Sequence, residues 1–223
     1  MKKVIVTGAT GMVGKGVLLE CLDHDSIAEV LSIGRNSLGI EHPNLKELIQ
    51  NDFSDFTNVQ KELSGYDACF FCLGISAAGL KEEQYKKITY DYTISLAKEL
   101  FEVNPEMTFN YVSGQGTDSS EKVRTMWARV KGKTENDLLK MGFKQAFMFR
   151  PGMIIPLRGI RSRTKSYQFM YDYFMWLVKL TKAISPNSVV NTTQIGLAMI
   201  NSMLKGCNKK ILKPKDIITL SDS

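Results

Sequence analysis

Hydrophobic and polar positions along this chain switch between two rhythms. Short apolar or β-branched runs read as strands, and between them apolar residues recur three and four apart, as on one helix face. The pattern predicts strands at about Lys3 to Thr7, Glu29 to Arg35, Leu45 to Ile49, Ala68 to Leu73, Met107 to Val112 and Gln145 to Arg150. It predicts helices at about Met12 to Leu22, Asp55 to Leu63 and Lys81 to Glu102, the last ended by Asn104-Pro105, and one that includes Thr125 to Glu135. The run Ala68 to Leu73 is apolar throughout, as in a central parallel strand covered on both faces. Repeated strand–helix units of this kind predict an α/β fold, a Rossmann-type doubly wound parallel sheet.

After Pro156 the pattern changes. Leu157 to Lys165 is a basic loop, and Tyr167 to Ile184 reads as an aromatic and Met-rich helix. A helix near Thr192 to Lys205 and short strands near Lys210 to Leu212 and Ile217 to Leu220 complete the expectation. With no internal repeat and no low-complexity linker, residues 1–223 read as a single domain in which residues 156–223 contribute a small, mainly helical cap and substrate region. In the Tyr167 to Ile184 helix, Lys165, Gln168, Asp172, Met175, Lys179 and Lys182 share one stripe. Asp172 and Lys179 interrupt the apolar run, which is too short to span a bilayer. Its apolar surface is expected to meet the domain or a second subunit, so the chain is a monomer or a homodimer. Peripheral membrane contact through residues 167–184 is the sharper alternative.

Composition narrows the classes. The 223 residues carry 29 Lys and Arg against 23 Asp and Glu, a formal charge of +6. The basic residues are scattered, which argues against nucleic acid and leaves a modest attraction for a phosphorylated cofactor. Cys69 and Cys72 stand three apart on a predicted strand and so point to opposite faces, as core residues rather than a metal pair or disulfide. His24 and His42 have no ligand spacing around them, so no metal site is expected. The first strand follows directly on Met1-Lys2 with no signal peptide, which makes the expected location cytoplasmic.

The chemistry concentrates at Val4-Ile5-Val6-Thr7-Gly8-Ala9-Thr10-Gly11-Met12-Val13-Gly14. Strand, glycine turn and helix in this order form a dinucleotide-binding unit. Gly8 suits a sharp turn, Gly11 lets a pyrophosphate approach the backbone, and Gly14 lets the helix lie close on the sheet. The helix N-terminus offers free N–H groups and a partial positive charge. About 20 residues on, where an acid would accept from the ribose hydroxyls of NAD, stands Arg35. A guanidinium suits a 2′-phosphate, so NADP is expected and NAD is less so. Asp52 can accept from the adenine amino group with Phe53 near the ring; capping the next helix is an equal reading of Asp52. Gly74 closes the fourth strand where a backbone would approach the cofactor. Ser113 closes the fifth, at the sheet edge where open α/β sheets bind ligands.

These residues resemble the short-chain dehydrogenase/reductase superfamily, in its atypical and extended branch, close to NAD(P)-binding epimerase/dehydratase-like proteins. The matching features are the Gly8 to Gly14 turn, Arg35, Asp52-Phe53, Cys72-Leu73-Gly74, Ser113, Lys131 and Arg150-Pro151-Gly152. The resemblance implies cofactor contacts from Gly8, Thr10, Gly11, Met12, Val13, Gly14, Arg35, Asp52, Phe53, Cys72, Leu73, Gly74, Lys131 and Pro151. It also implies a small carbonyl or alcohol substrate and oxidoreductase or epimerase-like chemistry. In that family a Ser, a Tyr and a Lys work together: Ser113 matches the Ser and Lys131 the Lys. The Tyr position, four before the Lys, is Trp127. An indole N–H donates a hydrogen bond but cannot deliver a proton near neutral pH. Cofactor binding survives this departure. A non-catalytic NADP(H)-binding sensor or regulator becomes the alternative to an enzyme whose proton comes from Tyr167, Tyr171 or an ordered water.

Overall fold

Seven strands join in one all-parallel sheet, and the order in which they lie decides where a ligand can sit. The computed structural model describes residues 1–160 and 188–223. Its main-sheet strands are β1 (Lys2–Thr7), β2 (Ile27–Gly34), β3 (Leu45–Ile49), β4 (Ala68–Phe71), β5 (Thr108–Val112), β6 (Gln145–Phe149) and β9 (Ile211–Leu212). They lie in the order β3-β2-β1-β4-β5-β6-β9. The chain winds outward from β1 through β2 to β3, then crosses to β4 and winds the other way. The two windings part between β1 and β4, where Val4 registers with Ala68 and Thr7 with Phe71. A crevice opens there at the carboxyl ends of the strands.

Helices cover both faces. They are α1 (Met12–Asp23), α2 (Gln60–Leu63), α3 (Glu82–Lys86), α4 (Tyr92–Val103), α5 (Met126–Lys140), α6 (Thr192–Lys205) and α7 (Pro214–Ser221). Because strand side chains alternate, one strand feeds two cores. Val4, Val6 and Phe70 pack with Val17, Leu18 and Cys21 of α1 and with Ile195, Ala198 and Met199 of α6. Ile5, Cys69 and Phe71 pack on the other side with Leu96 and Leu100 of α4 and Leu138 of α5. Cys69 and Cys72 therefore serve opposite faces, both as free thiols. Among the described residues no helix is long and apolar enough to cross a membrane, and no group of three or more His, Cys, Asp or Glu side chains could hold a metal.

The structure corrects several expected elements. Ile217 to Leu220 is not a strand but part of α7. Pro214 opens that helix, the Asp216 carboxylate accepts from the Lys213 N–H at 3.0 Å, and Ile217, Leu220 and Ser221 fall on its buried side. Short length and a β-branched Ile-Ile pair disguised the helical spacing. The expected continuous helix from Lys81 to Glu102 is broken by a π-helical turn, Lys87–Asp91, that joins α3 to α4. There Tyr90 donates to Asp137 of α5 at 2.7 Å. Between Asp55 and Leu63, only Thr57–Leu63 is helical, beginning as a 3-10 turn. A two-stranded parallel ladder, β7 (Met153–Ile155) with β8 (Val189–Asn191), was not expected at all. Residues 188–223 pack on the main body: β9 extends the sheet beside β6, and α6 and α7 cover its face. The expected helix from Tyr167 to Ile184, with its stripe and its two tyrosines, lies outside the described residues.

Candidate functional site

The glycine turn sits at the parting of the two windings. Gly8 leaves β1 with φ of +70°, and a Cβ there would stand 2.7 Å from the backbone of Cys72 and Leu73 at the end of β4. The turn is thus locked against β4, and the Leu73 N–H donates to the Thr7 hydroxyl at 3.2 Å. Gly14 is needed for a slightly different reason than expected. Its missing Cβ would run into the Gly8 carbonyl, so it lets the first turn of α1 close on the glycine turn itself. The Gly11 N–H bonds back to the Gly8 carbonyl at 2.8 Å. Gly11 is also the N-cap of α1, with no side-chain cap and no acid in the first turn. Met12, Val13 and Gly14 therefore present helix-opening N–H groups to the crevice, as a pyrophosphate requires. Cys72 and Leu73 are half-buried beneath the turn, and Gly74 is exposed beside it.

At the adenosine end, Arg35 directly follows β2, exposed and unpaired with any other described side chain. Beyond it the connection is held by Glu47, which accepts from the Ser37 hydroxyl and the Leu38 N–H, both at 2.6 Å. Asp52 does not cap the next helical turn. Its carboxylate accepts from the Ser54 N–H at 2.8 Å and the Ser54 hydroxyl at 2.6 Å, which hold its carboxyl below the usual range. The next helical turn has Phe56 at its N-cap with no side-chain cap, and just before it Asp55 accepts from the Thr57 N–H at 2.9 Å. The Phe53 ring turns inward, 5.4 Å from Phe56 and edge-on to it. With Phe53 only 3% exposed, its ring belongs to the core.

Ser113, Lys131 and Trp127 converge where β5 ends. Ser113 follows β5, and its N–H donates to the Phe149 carbonyl of β6 at 2.8 Å. The Ser113 side chain is buried and its hydroxyl donates to Glu135. The other nearby acceptor is the Phe149 carbonyl, at 3.1 Å. Glu135 was not expected. It lies four residues after Lys131 on α5, has no exposed surface, and is gripped by Arg150, whose Nε stands 3.0 and 3.1 Å from its two oxygens. Arg150 also donates to Ser119 at 2.6 Å. The signal available was the Lys131-x-x-x-Glu135 spacing: a carboxylate beside Thr134 and Leu138 on the inward face of a helix needs a partner.

The Lys131 ammonium donates to the Ser113 backbone carbonyl, not to its hydroxyl. Enclosure of the ammonium pulls its pKa down to about 8, against the opposing pull of Glu135. Gly132, next in sequence, lets α5 press on the loop after β5, since a Cβ there would overlap the Asp118 carbonyl. Trp127 is half-buried one turn earlier, and its ring edge lies over Gly116: a Cβ on that glycine would be 3.0 Å from Trp127 Cη2. Pro151 is buried, and its carbonyl accepts from the Gln115 N–H at 2.8 Å, so it braces the loop carrying Gly116.

Comparison with known proteins agrees with this geometry. The profile of the NAD dependent epimerase/dehydratase family matches residues 4–125. Protein HTATIP2 of Rattus norvegicus is 29% identical over 156 residues, covering 69% of this chain and 63% of that protein. The mitochondrial protein fmp52 of Emericella nidulans is 25% identical over 219 residues, 95% of this chain and 91% of that one. The Bordetella bronchiseptica enzyme WbmF, solved in complex with NAD+, superimposes with a TM-score of 0.69 at 12% identity, covering 99% of this chain and 78% of that chain.

Proposed function

Because the chain belongs to the NAD dependent epimerase/dehydratase family, we propose that it binds NADP(H) in preference to NAD(H) and acts as an oxidoreductase or epimerase-like enzyme on a small carbonyl or alcohol. The observation that carries the nucleotide reading is the uncapped start of α1, locked by Gly8 and Gly14 at the parting of the sheet. The residues fit such a group: backbone N–H groups of Met12 to Gly14 would hold its pyrophosphate, and Arg35 its 2′-phosphate. The preference for NADP rests on Arg35, an exposed guanidinium with no partner among the described residues, at the position where a carboxylate would serve NAD.

When bound, the nicotinamide supplies or accepts a hydride. The chain's own part is positional and electrostatic. Ser113 and Lys131 stand at the carboxyl edge of β5, where the sheet binds ligands. Trp127 offers a flat surface and one N–H donor in the family's phenol position. The alternative of a non-catalytic NADP(H) sensor draws on one specific observation. Trp127 cannot transfer a proton, and the Ser113 hydroxyl proton is already given to Glu135. Fluorescence titration with NADPH and NADH, followed by NADPH oxidation over a carbonyl panel, tests both parts. Tight NADPH binding with turnover supports the enzyme, binding without turnover supports the sensor, and NADH bound as tightly as NADPH refutes the stated preference.

A further inference from the structure

Among the described residues, Trp127, Ser113 and Lys131 stand at the end of β5 as groups that could handle a proton, and two are disqualified by their surroundings. Trp127 is a donor only. Ser113 has a single hydroxyl proton, and its buried Oγ lies between two acceptors, the Glu135 carboxylate and the Phe149 carbonyl at 3.1 Å. That proton is engaged by the Glu135 carboxylate, which Arg150 holds through Nε contacts of 3.0 and 3.1 Å. The third group is Lys131. Its ammonium is anchored on the Ser113 carbonyl, on the same side of α5 as Trp127 and one turn further on.

We propose that Lys131 is itself the acid–base group of this site, giving its proton to the oxygen of a carbonyl substrate and taking it back from the alcohol. The proposal rests on the nicotinamide-nucleotide reading above. In the reducing direction, a reduced nicotinamide nucleotide gives a hydride to the carbonyl carbon and is oxidised. The carbonyl electron pair moves onto oxygen and captures a proton from the Lys131 ammonium. The N–H bond breaks, the O–H bond forms, and the neutral amine regains its proton from water. The carbonyl has then gained two electrons and two hydrogens, one as hydride and one as proton.

The charges around Lys131 suit this role. Glu135, on its own helix, faces it and favours the ammonium. From the end of β6, Arg150 is spent on Glu135. From β5, Tyr111 is fully buried beside Glu135, with Tyr85 of α3 next to it, and burial keeps both phenols protonated. In the loop against Gly132, the Asp118 carboxylate is taken by the N–H groups of Ser120, Lys122 and Val123. Glu82 of α3 is paired with Arg129. Enclosure therefore outweighs the opposing Glu135 carboxylate, and a pKa of about 8 makes the amine exchangeable near neutral pH.

The test separates this role from nucleotide binding. Wild type and Lys131→Arg are titrated with NADPH by fluorescence, then assayed for NADPH oxidation with diacetyl, phenanthrenequinone and a series of aldehydes from pH 6 to 10. Arginine keeps the charge and donors but cannot release a proton in this range. The expected result is turnover lowered by roughly 10²-fold or more in Lys131→Arg, a loss far larger than any change in its NADPH affinity. Wild-type reduction should be level at low pH and decline above about 8, as the ammonium is lost. Turnover retained by Lys131→Arg overturns the proposal, as does wild type that binds NADPH yet oxidises none with any probe. Failure of the wild type to bind either nucleotide overturns the functional reading beneath it instead. Should Lys131→Arg misfold, lysine side-chain NMR of the wild type decides: a resonance assigned to Lys131 by its loss in Lys131→Met must titrate near 8, and titration above 10 refutes the role.

Discussion

The Ser113 hydroxyl hands its only proton to Glu135, a carboxylate 22 residues further along with no exposed surface. This bond, with Arg150 behind it, ties the end of β5, helix α5 and the end of β6 into one unit. Removing the carboxylate leaves the Arg150 guanidinium, itself only 13% exposed, without a counter-charge. Loss of one partner of a buried pair costs about 3–5 kcal/mol. Glu135→Ala should fall in that range by urea denaturation, and Glu135→Gln should lose less with the same sign. An unchanged midpoint in both variants would remove Glu135 from the framework of the site.

Arg35 should decide between the two nucleotides. A charge-assisted, bidentate bond to a phosphate contributes about 1.5–3 kcal/mol. Arg35→Ala should therefore weaken NADPH binding roughly tenfold or more and NADH binding far less. Because Arg35 holds no other described side chain, the change should leave the melting temperature in place. Equal losses for both nucleotides in a fluorescence titration count against the assignment.

Legibility in the sequence followed the range of the forces involved. The glycine turn, six strands of the main sheet and helices α1 and α5 could be read directly, because hydrophobic period and turn chemistry are local. Ser113 and Lys131 were legible as positions. Their actual partners were not, since Glu135 and Arg150 meet only once β5, α5 and β6 are side by side. The inward packing of the Phe53 ring on Phe56 was likewise not legible from the local pattern. Strand Ile217 to Leu220 failed because β-branched composition outvoted a Pro–Asp helix start.

Stability should carry the signature of Lys131. Its folded pKa of about 8 lies below the ordinary lysine value of 10.5, so folding disfavours its charged form. Between these values the unfolded chain binds more protons than the folded one, and stability contributed by this group rises with pH. Below about 8 the penalty is present in full, on the order of 1–3 kcal/mol after allowing for its partial exposure. Lys131→Met should then be more stable than wild type at pH 7, with the gap narrowing toward pH 10. The check is a pair of urea titrations at the two pH values; a gap that widens with pH contradicts the shift.

Trp127→Tyr should restore a phenol one turn before Lys131, whose charge favours the phenolate. General acid–base help of that kind gives ~10²–10⁴-fold in rate. The variant should gain NADPH oxidation on at least one carbonyl that wild type handles poorly, in a steady-state assay over the same panel. Brisk wild-type turnover that the substitution abolishes would show that the indole belongs to a different working mechanism.

The packing of α6 on α1 has a consequence for how the protein is made. Val17, Leu18 and Cys21 near the start of the chain share one core with Ile195, Ala198 and Met199 near its end. During synthesis at about 5–20 residues per second, the apolar side of α1 waits roughly ten seconds or more for its cover. The nucleotide cradle is made well before α6, yet the helix that presents it is seated only once α6 arrives. A nascent chain halted before α6 would carry a finished motif on an unfinished protein, and would be a client for chaperones before it could be a binder of anything else.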